Sequence, residues 1–133
     1  MEDVKIKLAG LWIAGTLNGL VGGLLELFEP GMLEQIIEGK VGSMQITHEL
    51  LLGMAILMVL APIMVFLSLT LKDSVNRWAN IIVGIVFTGF SLVEMIGFLE
   101  KTPAAYYMVI SIIGLLFTVL IVWYALKWPK QKA

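Results

Sequence analysis

Two glutamates stand where the hydrocarbon core of a membrane is expected. Glu94 interrupts the apolar run Ile81 to Leu99, and Glu26 lies close to the end of the apolar run Leu8 to Phe28. An ionisable group at membrane depth costs about 2.5–3.5 kcal/mol on insertion scales, and such groups commonly mark a ligand site or a proton pathway. Carboxylates there can compensate positive charge, exchange protons, or serve as acid and base. Glu94 and Glu26 are therefore the leading candidates for ligand-binding residues.

Four other polar residues are further candidates for the same site. His48 and Glu49 begin the second apolar run, Asn18 lies within the first, and Ser91 shares a helical face with Glu94. Glu49 is also explained as a carboxylate in a first helical turn, and Asn18 as an interhelical hydrogen-bonding group. The lone histidine is weak evidence for a base or a metal ligand. No metal or cofactor is predicted, because a dimetal bundle needs Glu-x-x-His pairs.

Composition assigns the chain to the integral membrane proteins. Hydrophobic residues make up 59% of the 133 residues and charged residues 14%, against roughly 25% charged residues in an average soluble domain. Spans of about 20 residues each leave room for four helices and short loops, so residues 1–133 form one domain. The absence of cysteine excludes disulfides and thiol chemistry, and the net charge of -1 gives no argument for nucleic acid.

Four apolar stretches predict an all-α fold, a four-transmembrane-helix bundle. The predicted spans are Leu8 to Phe28, His48 to Leu71, Asn80 to Leu99, and Ala104 to Trp128. Between the first two, apolar and polar residues of 32–38 alternate at helical spacing. This predicts a short amphipathic helix in the first outer loop, which is either a lid or an interfacial anchor. The first run is too long for a signal peptide and lacks a small-residue cleavage site, so a retained span is expected.

The positions of the nine lysines and arginines predict the orientation. Two of them flank the outer loops, and the other seven lie near the termini and the middle loop: Lys5, Lys7, Lys72, Arg77, Lys127, Lys130 and Lys132. The positive-inside rule then places both termini in the cytoplasm of a cell-membrane protein, with an acidic outer mouth and all four tryptophans in an inner aromatic belt. Such a strong bias disfavours the dual topology of some small multidrug exporters.

Helical phase predicts which residues face the bundle interior. The series Gly15, Gly19 and Gly23 is a small-xxx-small ridge expected to let another helix approach closely. A second stripe in the third span is also expected to face the interior: Asn80, Gly84, Thr88, Ser91 and Glu94.

Three segments carry a resemblance to a known family. Gln45 to Leu52, Asn76 to Ile81, and Trp123 to Pro129 resemble signatures of small four-helix membrane proteins of bacteria and archaea whose function is unknown. The resemblance spans nearly the whole chain and implies the fold and little chemistry. A more distant similarity to DoxX-like four-helix proteins rests on topology alone.

Three functional classes remain open from the sequence. The leading one is a protein that binds or transports a cation, a proton-coupled solute or an amphipathic small molecule in an outward-facing acidic cavity. The alternatives are a membrane enzyme that acts on a lipid or isoprenoid by carboxylate acid/base chemistry, with catalytic residues unassigned, and an accessory subunit of a membrane complex. The lipid bilayer is the one partner implied directly, and self-association into a homo-oligomer is left open.

Overall fold

The computed structural model describes residues 3–41, 44–99 and 105–128, with the backbone alone for 97–99. The elements in chain order are α1 (Asp3–Leu27), α2 (Met32–Ile37), β1 (Lys40–Val41), β2 (Met44–Gln45), α3 (His48–Thr70), α4 (Asp73–Leu99) and α5 (Ala105–Leu126). Helices α1, α3, α4 and α5 are long and apolar enough to cross a membrane. The predicted all-α bundle of four spanning helices is confirmed, and α2 occupies the place of the predicted short helix in the first loop.

Local signals set the ends of several elements. Thr47 caps α3, because its hydroxyl oxygen accepts a hydrogen bond from the backbone N–H of Leu50 at 3.1 Å. Gly31 before α2 and Gly39 before β1 have φ angles of 87° and 79°, which glycine adopts without a steric penalty. These two turns separate α1 from α2 and α2 from the paired strands β1 and β2.

Two helices start earlier than the apolar runs indicated. Helix α4 begins at Asp73 and not at Asn80, and α1 begins at Asp3 and not at Leu8. In both cases an acidic residue occupies the first turn, where a carboxylate interacts favourably with the helix dipole. Hydropathy alone misses these polar first turns. The antiparallel pair β1–β2, which matches Lys40 with Gln45, was not predicted either.

The bundle is packed tightly at only one end. We call the half that holds the start of α1, the α3–α4 turn and the end of α5 the terminal half, and the half that carries α2 and the β1–β2 pair the hairpin half. Every buried apolar side chain of the described residues lies in the terminal half: Leu8, Ala9, Trp12, Ala61, Met64, Ile81, Ile121, Ala125 and Trp128. The hairpin half is correspondingly open.

Two of the four tryptophans belong to this core. Trp12 and Trp128 are only 2% and 4% exposed, so the expectation that all four tryptophans form an interfacial belt is wrong. Trp12 packs edge-on against Phe87 of α4 at 5.5 Å between ring centroids. A large flat ring of this kind fills the space between helices that lie diagonally opposite.

A buried polar network ties α1, α3 and α4 together inside the terminal half. The indole N–H of Trp12 donates to the Asn80 side-chain oxygen at 2.7 Å, and the Ser68 hydroxyl donates to the same oxygen at 3.3 Å. The Asn80 amide donates to the Asn76 side-chain oxygen at 2.7 Å, and the Asn76 amide donates to the Ser68 carbonyl oxygen at 2.7 Å. Polar groups withdrawn from water and lipid require such partners, so the network fixes the relative positions of three helices.

The helices form an incomplete ring. Helix α3 packs along α1, α1 along α5, and α5 along α4, whereas α3 and α4 make much less contact with each other. The hydrogen bonds between α3 and α4 involve Ser68, next to the turn that connects the two helices. The α3–α4 side of the hairpin half is therefore the weakest seam of the bundle.

Candidate functional site

The interior face of each spanning helix can be followed from the terminal half into the hairpin half. Each spanning helix contributes at least one residue that is 0% exposed, among them Leu8, Ser68, Asn76 and Ala125. About 18 residues make five full turns of an α-helix, so a residue at that spacing lies on the same face. The residues at that position toward the hairpin end are Glu26, Leu50, Glu94 and Tyr107. We call these four residues the interior ring.

The four residues of the interior ring are more exposed than Leu8, Ser68, Asn76 and Ala125, the residues five turns away in the terminal half. Glu26, Leu50 and Tyr107 are half-buried, and Glu94 is exposed. Glu26 lies within range of electrostatic interaction with Glu94, and Tyr107 lies within range of both carboxylates. Glu94 follows Asn76 by five helical turns and so lies on the same face of α4. Two carboxylates and a phenol thus lie within electrostatic range of one another in the hairpin half.

The α1–α5 seam holds one side of this opening rigid. The Tyr106 hydroxyl donates to a Glu29 carboxylate oxygen at 2.5 Å, and the Asn18 amide donates to the Ile110 carbonyl oxygen at 3.1 Å. Asn18 therefore acts here as an interhelical contact. Charge-assisted hydrogen bonds of the Tyr106 type are among the stronger ones in proteins, so α1 and α5 are joined on both sides of the interior ring.

Below the interior ring, α1 presents glycines to empty space. A Cβ atom added at Gly15, Gly19 or Gly23 would meet no other atom within 4 Å. These glycines continue the interior face of Leu8 and Trp12, which in the terminal half meets α4. The expectation that they form a helix-packing ridge is therefore wrong. No atom fills the space beside these three glycines within 4 Å of their Cβ positions, and we call this space the glycine cleft.

Close helix approach depends on other glycines. A Cβ at Gly22 would lie 2.7 Å from the Cγ2 atom of Ile110, and one at Gly84 would lie 2.8 Å from the Cγ2 atom of Val122. These contacts bring α1 and α4 against α5. Glycine spacing alone cannot separate the two roles, because a small residue permits either a tight contact or an empty space.

The remaining candidates are placed as follows. Ser91 is half-buried on the interior face of α4, one turn below Glu94. His48 and Glu49 are exposed in the first turn of α3, and within the described parts of the chain no hydrogen bond or ion pair joins them to the interior ring. Ser91 thus lies on the same face of α4 as Glu94, whereas His48 and Glu49 are exposed at the start of α3.

Sequence reasoning missed Tyr107 as a candidate residue. Its place in the sequence could have identified it, because Tyr107 precedes Ala125 by five helical turns and so shares the face of α5 that packs into the core. The Ser111 side chain, one turn further along α5, hydrogen-bonds to it. A phenol beside two carboxylates supplies a hydrogen-bond donor to the same opening.

Metal binding has no geometric support in the described part of the chain. No three histidine or acidic side chains in residues 3–41, 44–99 and 105–128 are placed to hold one ion. The chemistry that this arrangement offers is electrostatic. Two carboxylates and the Tyr107 hydroxyl group lie near one another, and Gly15, Gly19 and Gly23 of α1 have no atom within 4 Å of their Cβ positions.

Four helices long and apolar enough to span a membrane define the class of the chain, a multi-pass membrane protein whose buried core lies in the terminal half. The sequence profile of a family of unknown function, DUF6326, matches residues 1–133, and the chain belongs to this family. Comparison with curated proteins and comparison with solved structures gave no match. The family assigns no activity, so function has to be argued from the site.

Proposed function

We propose that this protein binds an amphipathic cation in the glycine cleft. The cationic group lies between Glu26 and Glu94, and the apolar part extends along Gly19 toward the terminal half. The observation that supports this most directly is that both carboxylates lie on core-facing stripes above an unfilled space. Buried or membrane-embedded charges are otherwise paired, and a bound cation would pair them.

Electrostatics favour a cation over a neutral or anionic ligand. Two carboxylates at one opening repel each other, and a positive charge between them relieves this repulsion. At an effective dielectric constant of 20, a pair of unit charges at 4 Å interacts by about 4 kcal/mol. An anion would instead add to the repulsion. Tyr107 adds a neutral hydrogen-bonding group on the third side.

The proposed ligand enters from the bilayer. The weak seam between α3 and α4 lies beside the glycine cleft, and an amphipathic molecule is concentrated in the membrane rather than in water. The terminal half is sealed by the core around Trp12 and Asn80. The proposal is therefore one of binding, because transport would also require the packed helices of the terminal half to separate.

We place the hairpin half at the outer face of the cell membrane and both termini in the cytoplasm, because basic residues concentrate at the terminal end. The chain has no native cysteine, so single cysteines report topology cleanly. An impermeant thiol reagent added to intact cells should label Glu34→Cys in α2 and spare Ser74→Cys at the α3–α4 turn, both exposed positions. Labelling of Ser74→Cys alone would show the reverse orientation, and labelling of both would show two orientations.

The binding proposal is tested with a pair of probes that differ in the sign of their charge. Tetraphenylphosphonium and tetraphenylborate have similar size and apolar surface. We expect the cation to bind saturably to the protein in phosphatidylcholine nanodiscs and to raise its melting temperature, as ligands of the native state do. The anion should do neither. Equal effects of the two probes would overturn the proposal.

Titration of tetraphenylphosphonium into glycine variants of the protein tests where the ligand binds. Gly19→Leu fills the glycine cleft and should weaken tetraphenylphosphonium binding at least ten-fold. Its melting temperature should not fall, because leucine favours helix over glycine and nothing stands within 4 Å of its Cβ. Gly10→Leu is the matched control, since Gly10 has equally open surroundings but is exposed on the opposite face of α1. A Gly19→Leu protein that binds like the parent would place the ligand elsewhere.

A further inference from the structure

The terminal end carries an excess of positive charge that the proposed cation site does not use. The described cations there are Lys5, Lys7, Lys72, Arg77 and Lys127, and the described acids are Asp3 and Asp73. The carboxylate of Asp73 is 3.0 Å from the ammonium group of Lys5, so this pair is internally neutral. Four cations then stand against Asp3 alone.

Two of these cations, Lys7 and Lys127, are placed near Tyr124 at the seam between α1 and α5. The Lys7 ammonium group lies 5.5 Å from the ring centroid of Tyr124. The backbone N–H of Lys127 still donates to the Trp123 carbonyl oxygen at 2.9 Å, so the helical turn continues and places Lys127 beside Tyr124 on the same face. Lys7 and Lys127 are both exposed. We call Lys7, Tyr124 and Lys127 the basic seam.

Aromatic residues place the basic seam at headgroup depth. The rings of Trp123 and Tyr124 contact each other edge-on with centroids 5.0 Å apart, and Trp123 is half exposed. Tryptophan and tyrosine rings favour the boundary between hydrocarbon and headgroups. Lysine stems can extend from this level so that the ammonium groups reach the phosphates.

We propose that the basic seam binds the phosphate of an anionic phospholipid headgroup. Two ammonium groups on adjacent helices provide donors for the phosphate oxygens, and Tyr124 provides a hydroxyl group and an apolar ring beside them. Asp3 lies one turn from Lys7 but forms no ion pair with it, since the ion pair recorded within the described ranges joins Lys5 to Asp73. A zwitterionic choline headgroup would bring its own positive charge toward these lysines, so an anionic headgroup fits better.

The test compares two lipids with the same acyl chains, phosphatidylglycerol and phosphatidylcholine, titrated into detergent-solubilised protein and followed by native mass spectrometry. We expect phosphatidylglycerol to bind preferentially. Each lysine near an anionic headgroup contributes about five-fold in affinity, so the double variant Lys7→Gln/Lys127→Gln should lose roughly 25-fold. Glycerol phosphate, which lacks acyl chains, should not compete at equal concentration, which separates a lipid site from a site for free phosphate.

Matched variants separate a defined site from diffuse attraction. Lys72→Gln/Arg77→Gln removes the same charge from the same end and should cost much less affinity, and Lys40→Gln at the other end should cost none. Lys7→Arg/Lys127→Arg keeps the charge and should keep most of the preference. Equal losses in the two double variants, or equal affinity for the two lipids, would overturn the proposal. Melting temperatures in phosphatidylcholine check that every variant is folded.

Discussion

Glu94→Gln is expected to lower the affinity for tetraphenylphosphonium at least ten-fold, a loss of about 1.4 kcal/mol or more, and to leave the melting temperature unchanged or higher. The amide keeps the shape of the side chain but removes one of the two charges that attract the cation. It also removes repulsion between Glu94 and Glu26, which interact electrostatically in the structure. Binding and stability should therefore separate, and isothermal titration beside thermal unfolding measures both.

Glu34→Gln provides the control for this change. It removes an exposed carboxylate from α2, at the same end of the bundle but outside the interior ring, and should leave both quantities close to the parent values. Glu26→Gln should resemble Glu94→Gln, and the two changes together should add little once binding is lost. If Glu94→Gln is clearly less stable, in a parent protein that tetraphenylphosphonium does not stabilise, then Glu94 is a structural contact and the proposed site is wrong.

Asn80→Ala should have the largest effect on stability among single polar substitutions. Asn80 is 0% exposed and accepts hydrogen bonds from the Trp12 indole and the Ser68 hydroxyl. Truncation leaves these donors without their acceptor inside the core, at a cost of about 1–3 kcal/mol in the free energy of unfolding. Asn18→Ala is the comparison, because Asn18 is more exposed and makes one interhelical hydrogen bond, the kind worth about 0.6 kcal/mol on average in a membrane protein.

A double-mutant cycle tests the cause of this loss. Trp12→Phe keeps an aromatic ring but removes the N–H donor, so it should cost less in the Asn80→Ala background than in the parent. The difference measures the coupling between Trp12 and Asn80. Additive effects of the two changes, determined by unfolding in mixed detergent and denaturant, would show that the 2.7 Å hydrogen bond does not stabilise the fold.

The four spans were predictable because a membrane imposes one strong requirement. Backbone groups in hydrocarbon must be satisfied within a helix, so a long apolar run leaves no alternative structure. The polar first turn of α4 was not predicted for the same reason, since Asp73 and Asn76 are helical although they do not belong to an apolar run. Asn76 is buried in the network, and hydropathy contains no information about a polar partner that comes from another helix.

Helical phase groups residues by face but cannot predict neighbours. Gly19 and Glu26 were assigned to one face of α1, and at 3.6 residues per turn this face continues from Leu8. Whether that face meets a helix or an empty space depends on how α3, α4 and α5 are arranged around it, which is a property of the whole bundle. The same limit explains Trp12, whose ring suits either a headgroup or a core and which Asn80 draws inward.

The concentration of the core in the terminal half has a consequence for biosynthesis. Leu8 and Trp12 are made before Ile121, Ala125 and Trp128, which belong to the same buried core and lie more than 100 residues later in the chain. The Ser68–Asn76–Asn80 contacts join residues close in sequence and can form as soon as the α3–α4 turn enters the membrane. The face of α1 that packs against α5 therefore stays uncovered until α5 has entered the membrane. Insertion of α5, which packs along both α1 and α4, is therefore the step that completes the bundle.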